Sequence, residues 1–490
     1  MRFLEIILLL IVTILPFVKR PLLKKIHKRP LYIAIISLLG FHFIIEGWRW
    51  QMIPGYILLC ILLWRIYAVK GILPIKLTFI RVLGYVMLIM VLFPSWIIPH
   101  VLPVFSIPKP TGVYQVGTHS IHLKTAMDEP ITKDLSDKRE LMVKVWYPSN
   151  TIAFAKEDPY LDKTNRTSFI QKYGGGLLPP ASMDYLDQVK THVYQEAPIV
   201  EDTFPVLLFS HGYGSNASGY YALLTEIASH GYIIINMNHT YESLGAMFPD
   251  GSEKLFDYEF QTVDGADAMQ HITPIKQAFE NEYSYDERHA IIRKASKEYN
   301  VSNMVKRWTK DMIYTLDQLD NWNKNGFLKN RLDLSKIGVF GHSRGGGAAG
   351  QLTIKDNRIK AAVNIDGIQW GEMMDTIYHK PFLYIASDWP AAHHDINAHT
   401  YKHKSTDYFY ESKLLTAAHP NFMDIPLMVP VKSLAQTGTI DAREGIKITN
   451  ELICSFFDKH LKKEENSDPK KIAASYDLLE MTIYKNGKKL

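Results

Sequence analysis

The sequence predicts an α/β fold with a mostly parallel, doubly wound sheet, preceded by a helical membrane region of about four spans. Apolar residues crowd the first hundred positions of the 490-residue chain, which is too long for one ordinary domain. After residue 200, short and continuous apolar runs alternate with helical patterns, as in parallel strands joined by helices. A glycine-rich turn at residues 341–347 separates one such run from a stretch of small residues.

Four apolar stretches are each about long enough to cross a hydrocarbon core, which needs ~20 helical residues. They are residues 3–18, 31–47, 52–69 and 77–99. Basic residues cluster in the first and third connections, whereas the second holds only Arg49. Because positive charge marks the cytoplasmic side, we expect the N-terminus and the chain after the fourth span to lie outside the cell membrane. The first stretch also suits a secretory signal, but the absence of a small-residue cleavage site favours a retained anchor.

The predicted domains are therefore a transmembrane region over residues 1–100, a proline-punctuated linker over 101–110 and an α/β domain over 111–465. Residues 466–490 are interpreted as a C-terminal tail, and a charged, tyrosine-rich insertion at 253–303 is a candidate lid. The net charge is only +5, and the basic residues form no stripe with interleaved aromatics, which argues against a nucleic-acid partner. Two distant cysteines, Cys60 and Cys454, provide no disulfide framework.

The turn at 341–347 fits the pattern G-x-S-x-G and makes Ser343 the predicted nucleophile. A serine at a sharp strand-to-helix turn needs neighbours without bulk, which Gly341 and Gly345 provide. The flanks agree, since an apolar strand pattern precedes the turn and small, helix-compatible residues follow it. A glycine-rich turn without chemistry is the simpler alternative.

A second turn, residues 211–215, follows the apolar run 204–210 and is the candidate oxyanion loop. Acyl transfer places negative charge on the substrate carbonyl oxygen, and backbone N–H groups stabilise that charge. We expect the amides of Tyr213 and Arg344 to be the two donors, since both residues lie on glycine-flanked turns.

A serine nucleophile needs a histidine base, and the histidine needs an acid. Asp366 and Asp388 each follow an apolar strand downstream of Ser343, and spacing alone does not separate them. His419 lies in a loop of small residues and is the candidate base. The competing histidines are His393, His394, His399 and His403. The last two have metal-ligand spacing, but no carboxylate or cysteine pattern accompanies them, so we predict no metal and no cofactor.

Several segments of residues 111–465 carry a resemblance to a known family. They are residues 114–117, 145–148, 210–214, 228–232, 248–251, 341–346, 364–367 and 419–422. Together they resemble the plasma-type platelet-activating-factor acetylhydrolases and their bacterial esterase members, which have the α/β-hydrolase fold. The resemblance implies Asp366 as the acid, with Asp388 as the alternative, and His419 as the base. Arg344 departs from the family, where this position is usually apolar or aromatic, and the membrane spans are a second departure.

The sequence thus predicts a membrane-anchored serine carboxylic-ester hydrolase that acts through an acyl-enzyme. The resemblance implies esters with short-chain or oxidised acyl groups, on phospholipids or similar molecules, as substrates. The expected partners are therefore a small-molecule or lipid ester and the bilayer. An acyltransferase that uses the same triad, or a non-catalytic binding protein with a hydrolase fold, are the alternatives.

Overall fold

The computed structural model describes residues 1–17, 28–68, 79–173, 179–388 and 391–490. These residues form two compact units. Unit 1 comprises residues 1–106, 181–189 and 427–435, and unit 2 comprises the remainder. Most of the basic residues on which the predicted membrane orientation depends lie outside the described residues, and so do the side chains of His393 and His394.

Unit 1 contains four apolar helices: α1 (Phe3–Ile14), α2 (Lys28–Ile45), α3 (Ile53–Ala68) and α4 (Phe79–Val101). The stretches Trp50–Tyr67 and Val82–Val101 are long and apolar enough to cross a membrane, whereas the helical stretches Phe3–Phe17 and Arg29–Ile45 are shorter. At 1.5 Å per residue, the stretch Phe3–Phe17 reaches only about 22 Å, which is less than the thickness of a hydrocarbon core, about 30 Å. Core helices of soluble proteins share these properties, so the four spans stay a prediction.

A buried ion pair holds one end of these helices together. Nε and Nη2 of Arg49 donate to the two carboxylate oxygens of Glu5, at 2.6 and 2.7 Å, and neither side chain is exposed. Arg49 also donates to the carbonyl oxygen of Leu102 at 2.7 Å. The start of α1, the connection after α2 and the end of α4 therefore lie at the same end of unit 1. Two buried charges need such mutual pairing, because an unpaired one would cost several kcal/mol.

Unit 2 is built on a sheet whose described strands follow the order β14-β13-β12-β11-β10-β9-β5-β6-β2-β1-β4-β3. Their bounds are β1 Gln115–Asp128, β2 Lys138–Ser149, β3 Lys156–Glu157, β4 Val193–Gln195, β5 Phe204–Ser210, β6 Ile233–Asn238, β9 Leu332–His342, β10 Ile359–Ile365, β11 Phe382–Ala386, β12 Tyr408–Leu414, β13 Leu479–Lys485 and β14 Lys488–Lys489, while β7 (Gly245–Met247) pairs with β8 (Glu253–Leu255) separately. Six adjacent strands, β6, β5, β9, β10, β11 and β12, run parallel to one another. The predicted α/β fold with a mostly parallel sheet is confirmed.

The register of the parallel strands brings their carboxyl ends to one edge. Ser210 at the end of β5 pairs with Gly341 on β9, and His342 pairs with Ile365 on β10. Ile365 in turn pairs with Ile385 on β11. The segments that follow these strands therefore meet at one place, which is where ligands bind in open α/β sheets.

The remaining helices belong to unit 2, apart from residues 427–435, which belong to unit 1. They are α5 Lys163–Tyr173, α6 Tyr221–Ser229, α7 Tyr258–Asp264, α8 Ala268–Glu280, α9 Tyr285–Glu298, α10 Asn300–Lys324, α11 Arg344–Lys355, α12 Ala391–Lys404, α13 Ile425–Met428, α14 Lys432–Ala435, α15 Ala442–Phe457 and α16 Pro469–Ala474. The apolar stripe of α10, which includes Trp308 and Met312, is fully buried in the main core, as its helical spacing indicates. The candidate lid insertion folds into β8 and helices α7 to α9.

The segment interpreted as a tail is instead structured. Residues 466–490 contain α16 and the strands β13 and β14. β13 pairs with all seven residues of β12 in antiparallel register, from Leu479 against Leu414 to Lys485 against Tyr408. Leu479, Met481 and Ile483 alternate with polar residues, which is typical of a strand. The many lysines around this short segment favoured its interpretation as a tail.

Candidate active site

Ser343 lies at a strained turn between a strand and a helix. β9 ends at His342 and α11 begins at Arg344, so Ser343 alone forms the corner, with φ 58° and ψ −127°. A non-glycine residue in such a conformation costs about 1–3 kcal/mol, which its surroundings must offset. The Ser343 N–H donates to the carbonyl oxygen of Ile365 at 2.8 Å.

The flanking glycines are required by close backbone approaches. A Cβ at Gly341 would lie 2.3 Å from the carbonyl oxygen of Gly345, and a Cβ at Gly345 would lie 2.1 Å from that of Ser210. Both distances are far below van der Waals contact, so neither position tolerates a side chain. The G-x-S-x-G spacing thus has the geometric cause that the sequence analysis gave for it.

Asp366 and His419 are brought together across 53 residues of chain. Nδ1–H of His419 donates to Oδ2 of Asp366 at 2.6 Å, and the Asp366 side chain is fully buried while that of His419 is one third exposed. Ser387 donates to both carboxylate oxygens, through its N–H to Oδ1 and through its hydroxyl to Oδ2, each at 2.8 Å. Three donors therefore hold the carboxylate in place.

Asp388, the alternative acid, has other partners. Its Oδ1 lies 2.7 Å from Nζ of Lys413, and its Oδ2 accepts from the N–H of Thr416 at 3.0 Å. The side chain is 36% exposed. Of the two aspartates that strand spacing left open, Asp366 is the one that makes the 2.6 Å hydrogen bond with His419.

His419 lies against the residue that precedes Ser343. The rings of His342 and His419 are 4.4 Å apart between centroids. The turn that follows Asp366 lies against the backbone of Ser343, because a Cβ at Gly367 would lie 2.0 Å from the carbonyl oxygen of Ser343. Burial, reinforced by the neighbouring His419, lowers the pKa of His342 well below its ordinary value, so this ring is neutral. Ser343, Asp366 and His419 all lie at the carboxyl edge of the sheet.

The candidate oxyanion loop passes directly beside the serine. A Cβ at Gly212 would lie 3.5 Å from Cβ of Ser343 and 2.9 Å from the hydroxyl of Tyr220. That hydroxyl accepts from the Gly212 N–H at 2.9 Å and lies 2.8 Å from Nδ1 of His342. Tyr220, which sequence reasoning did not identify, thus connects the oxyanion loop to the strand that leads into Ser343.

The side chains of the two predicted oxyanion donors contact each other. The guanidinium of Arg344 lies 4.0 Å from the ring centroid of Tyr213, within cation–π distance. Arg344 also lies 3.3 Å from Sδ of Met304, and Tyr213 packs against Trp308. As the first residue of α11, Arg344 has its N–H pointing out of the helix end next to Ser343.

The histidine pair of α12 takes part in a polar cluster. His399 lies 3.1 Å from His289 of α9, and His289 lies 2.8 Å from Asp375. Burial, with the neighbouring His289, lowers the pKa of His399 to about 3. Among the described residues, no group of three or more potential ligands has the geometry to hold a metal ion.

Asp424 is a second residue that the sequence analysis missed. Its fully buried carboxylate accepts from the N–H groups of Tyr221 and Ala222, at 2.6 and 3.2 Å, at the start of α6. It lies five residues after His419, and its own N–H donates to Gly219. The loop that carries His419 is thereby attached to α6. A lone aspartate in a loop gives no sequence signal of this kind.

Comparisons with known proteins show which family and which known fold the chain resembles. The family described as platelet-activating factor acetylhydrolase, isoform II, matches residues 101–477. The platelet-activating factor acetylhydrolase of Cavia porcellus is 23% identical over 386 residues, covering 74% of this chain and 80% of the relative. A probable 1-alkyl-2-acetylglycerophosphocholine esterase of Arthroderma benhamiae is 22% identical over 343 residues, covering 66% of this chain and 74% of the relative. The structure of a ferulic acid esterase from Streptomyces cinnamoneus superposes with a TM-score of 0.59 at 23% identity, covering 77% of this chain and 99% of the esterase, and so shares the fold.

Proposed function

The chain belongs to the platelet-activating factor acetylhydrolase isoform II family, and from that premise we propose that it hydrolyses carboxylic esters through an acyl-enzyme on Ser343. The observation that carries the proposal is the strained Ser343 beside the turn whose Asp366 accepts a 2.6 Å hydrogen bond from His419. Asp366 holds the imidazole with its proton on Nδ1, which leaves Nε2 as the base.

In the first half-reaction, Oγ of Ser343 attacks the ester carbonyl carbon while Nε2 of His419 takes the hydroxyl proton. The carbonyl oxygen becomes an oxyanion, which the amides of Tyr213 and Arg344 stabilise. The intermediate collapses, and the leaving alkoxide takes the proton from His419. In the second half-reaction, His419 deprotonates water, which attacks the carbonyl carbon of the acyl-enzyme. The bond to Oγ of Ser343 then breaks, Oγ takes the proton back from His419, and the carboxylic acid is released. His419 accepts and returns one proton in each half-reaction, so the proton transfers balance without a cofactor.

The substrate class follows from the relatives. These relatives are named as acetylhydrolases and as a 1-alkyl-2-acetylglycerophosphocholine esterase. We therefore expect esters with short or oxidised acyl chains, carried on phospholipids or similar molecules. A panel of p-nitrophenyl esters from acetate to palmitate, together with short-chain phosphatidylcholines, tests this expectation, and equal turnover of the long-chain esters would contradict it.

The nucleophile is tested by Ser343→Ala. Loss of such a serine lowers kcat by about 10⁶-fold in comparable hydrolases, so hydrolysis of p-nitrophenyl acetate should fall to background. Ser335→Ala, on the exposed start of β9, is the matched control and should retain full activity. Hydrolysis by the Ser343 variant at the parental rate would refute the assignment.

Two further measurements address the other functions considered for this fold. Reaction with a fluorophosphonate probe requires an activated hydroxyl, so labelling that disappears in Ser343→Ala argues against a binding protein without activity. Incorporation of ¹⁸O from labelled water into the released acid distinguishes hydrolysis from transfer of the acyl group to another alcohol.

We also place unit 1 in the membrane, with four spans and the hydrolase domain outside the cell. An even number of crossings is supported by the Glu5–Arg49–Leu102 contacts, which join the beginning of α1 to the end of α4. The protein should sediment with membranes after extraction with alkaline carbonate, and protease added to intact cells should digest residues 111–490. Release by carbonate, or protection from the protease, would contradict this topology.

A further inference from the structure

Two hydrogen bonds fix the backbone on both sides of Gly212. Its N–H donates to the hydroxyl of Tyr220 at 2.9 Å, and its carbonyl oxygen accepts from Nδ1 of His211 at 2.8 Å. In a trans peptide the carbonyl of one residue and the N–H of the next point in opposite directions, and the described residues contain no cis peptide. The His211 ring, by holding the Gly212 carbonyl, therefore sets the direction of the Tyr213 N–H.

The tautomer of His211 follows from its partners. Nδ1 must carry the proton because the Gly212 carbonyl can only accept. Nε2 must be unprotonated because it accepts from the backbone N–H of His239, at 3.3 Å. The fully buried ring contacts Trp308, with 5.3 Å between ring centroids. His211 is thus a neutral imidazole with a defined orientation.

His239 belongs to a second Ser–His–Asp series, which is completely buried. The hydroxyl of Ser210 lies 2.9 Å from Nε2 of His239, and Nδ1 of His239 lies 2.8 Å from Oδ2 of Asp311. None of the three side chains is exposed, and Trp308 stacks on the His239 ring at 4.0 Å. No substrate reaches this serine, so the series, named here the buried brace (Ser210, His239 and Asp311), supports structure and not a second reaction.

The charge of Asp311 orders the buried brace. Burial alone would raise the pKa of Asp311, but the bidentate pair with Arg139, at 2.6 and 2.7 Å, lowers it to about 2. Burial lowers the pKa of His239, against the opposing effect of Asp311, so the imidazole is neutral. Asp311 therefore accepts from Nδ1–H of His239, and Nε2 accepts from the Ser210 hydroxyl.

A second attachment holds the far side of the oxyanion loop. The N–H of Gly214 donates to the carbonyl oxygen of Glu242 at 2.8 Å. The Glu242 carboxylate is itself fixed by Nε of Arg307 and by Nε1 of Trp308, each at 2.9 Å. The Gly212–Tyr213 peptide therefore lies between two anchored points, Ser210 and Gly214.

We propose that His211 is a positioning residue that aims the Tyr213 N–H at the substrate oxyanion, and that the buried brace holds His211 in the required orientation and tautomer. The proposal rests on the proposed ester hydrolysis at Ser343 and goes beyond it. Neither His211 nor any residue of the buried brace touches the substrate. Their contribution is that the Tyr213 donor needs no reorganisation when charge develops on the carbonyl oxygen.

Four variants test the proposal on the full-length protein with p-nitrophenyl acetate. His211→Phe keeps a ring but removes the donor to Gly212, so kcat should fall ~10²–10³-fold, the usual effect of losing one oxyanion donor. His211→Asn restores an N–H near the Nδ1 position and should recover most of kcat. His239→Gln disrupts the buried brace, which contacts His211 but not Tyr213. It should lower kcat by ~10-fold, because a change away from the reacting atoms slightly misplaces the oxyanion donor. His460→Phe is the control, since His460 is buried against Tyr410 at 3.0 Å, near the amino ends of β9 to β11.

The expected pattern separates positioning from simple loss of stability. KM and the pH dependence of kcat/KM should not change in the His211 and His239 variants, because the Asp366–His419 pair is untouched. The affinity for a trifluoromethyl ketone, whose adduct with Ser343 carries an oxyanion, should fall by the same factor as kcat. His460→Phe should lower the melting temperature without lowering kcat.

The opposite results overturn the proposal. A kcat of His211→Phe equal to that of His460→Phe, or inhibitor affinity unchanged while kcat falls, would show that His211 does not orient the donor. Should His211→Phe fail to fold, full activity in His239→Gln would have the same meaning, because the buried brace would then not contribute to the orientation of His211. Activity in Ser343→Ala would refute the hydrolase mechanism itself, whereas an inactive Ser343→Ala beside a fully active His211→Phe refutes only the positioning role.

Discussion

Replacing Asp366 with asparagine changes one oxygen to an amide nitrogen and tests the acid assignment. Oδ1 accepts from the N–H of Ser387, while Oδ2 accepts from both the Ser387 hydroxyl and Nδ1–H of His419. An asparagine has one acceptor oxygen, so in either orientation its NH₂ group faces a donor. If the oxygen stays with the backbone N–H, the NH₂ group faces His419 and favours the tautomer with the proton on Nε2.

That tautomer has no basic nitrogen to offer Ser343. We expect kcat of Asp366→Asn to fall by about 10⁴-fold, the loss that the same substitution causes in well-studied serine hydrolases and equivalent to about 5.4 kcal/mol of activation free energy. Asp388→Asn is the matched control. It removes only the contacts with Lys413 and Thr416 at a partly exposed site, so kcat should stay within about threefold.

The assay is the steady-state hydrolysis of p-nitrophenyl acetate between pH 6 and 9, with melting temperatures measured in parallel. The Asp366 variant should fold, since the amide preserves the shape of the buried side chain. Comparable losses in the Asp366 and Asp388 variants, or more than a tenth of parental activity in Asp366→Asn, would refute the reasoning.

Two other predictions follow from contacts near the site. Arg344→Ala and Tyr213→Leu should be coupled by about 0.5–2 kcal/mol in a double-mutant cycle on kcat, because the guanidinium lies 4.0 Å from the ring; purely additive effects would contradict the coupling. Burial raises the pKa of Asp424 from an ordinary value of 3.8 to about 7, so between these values the folded protein binds a proton that the unfolded chain releases. Stability should therefore fall as pH rises through this window, by up to about 1.4 kcal/mol per unit, and denaturant unfolding of Asp424→Asn should lack this component; an identical pH dependence in the two proteins would contradict it.

The sequence was most informative where a local rule determines the geometry. The turn at Ser343 could be predicted because close backbone approaches require Gly341 and Gly345. Strand β5 could be predicted because a strand buried on both faces has a nearly continuous apolar sequence. The pairing of Asp366 with His419 could not be derived from spacing, since both Asp366 and Asp388 follow parallel strands. The resemblance to a family favoured Asp366, and in the structure Asp366 is hydrogen-bonded to His419, while its role as the acid stays a prediction.

Other parts of the site depend on contacts between distant residues. Ser210, His239 and Asp311 belong to β5, to the segment after β6 and to α10, and each is an ordinary polar residue within its own sequence window. Their common burial becomes visible only when the elements pack. The number of membrane spans could not be predicted for a different reason, because length and apolar composition do not distinguish a buried core helix from a membrane span.

The pairing of β13 with β12 has a consequence for solubility. β12 lies at the end of the parallel run, and its backbone groups on that side are satisfied by residues 479–485. A chain shortened to residue 465 would present this strand unprotected, as a template for edge-to-edge self-association. In the described sheet this side instead carries β13 and then β14, which is only two residues long and both lysine, so residues 466–490 oppose aggregation through β12.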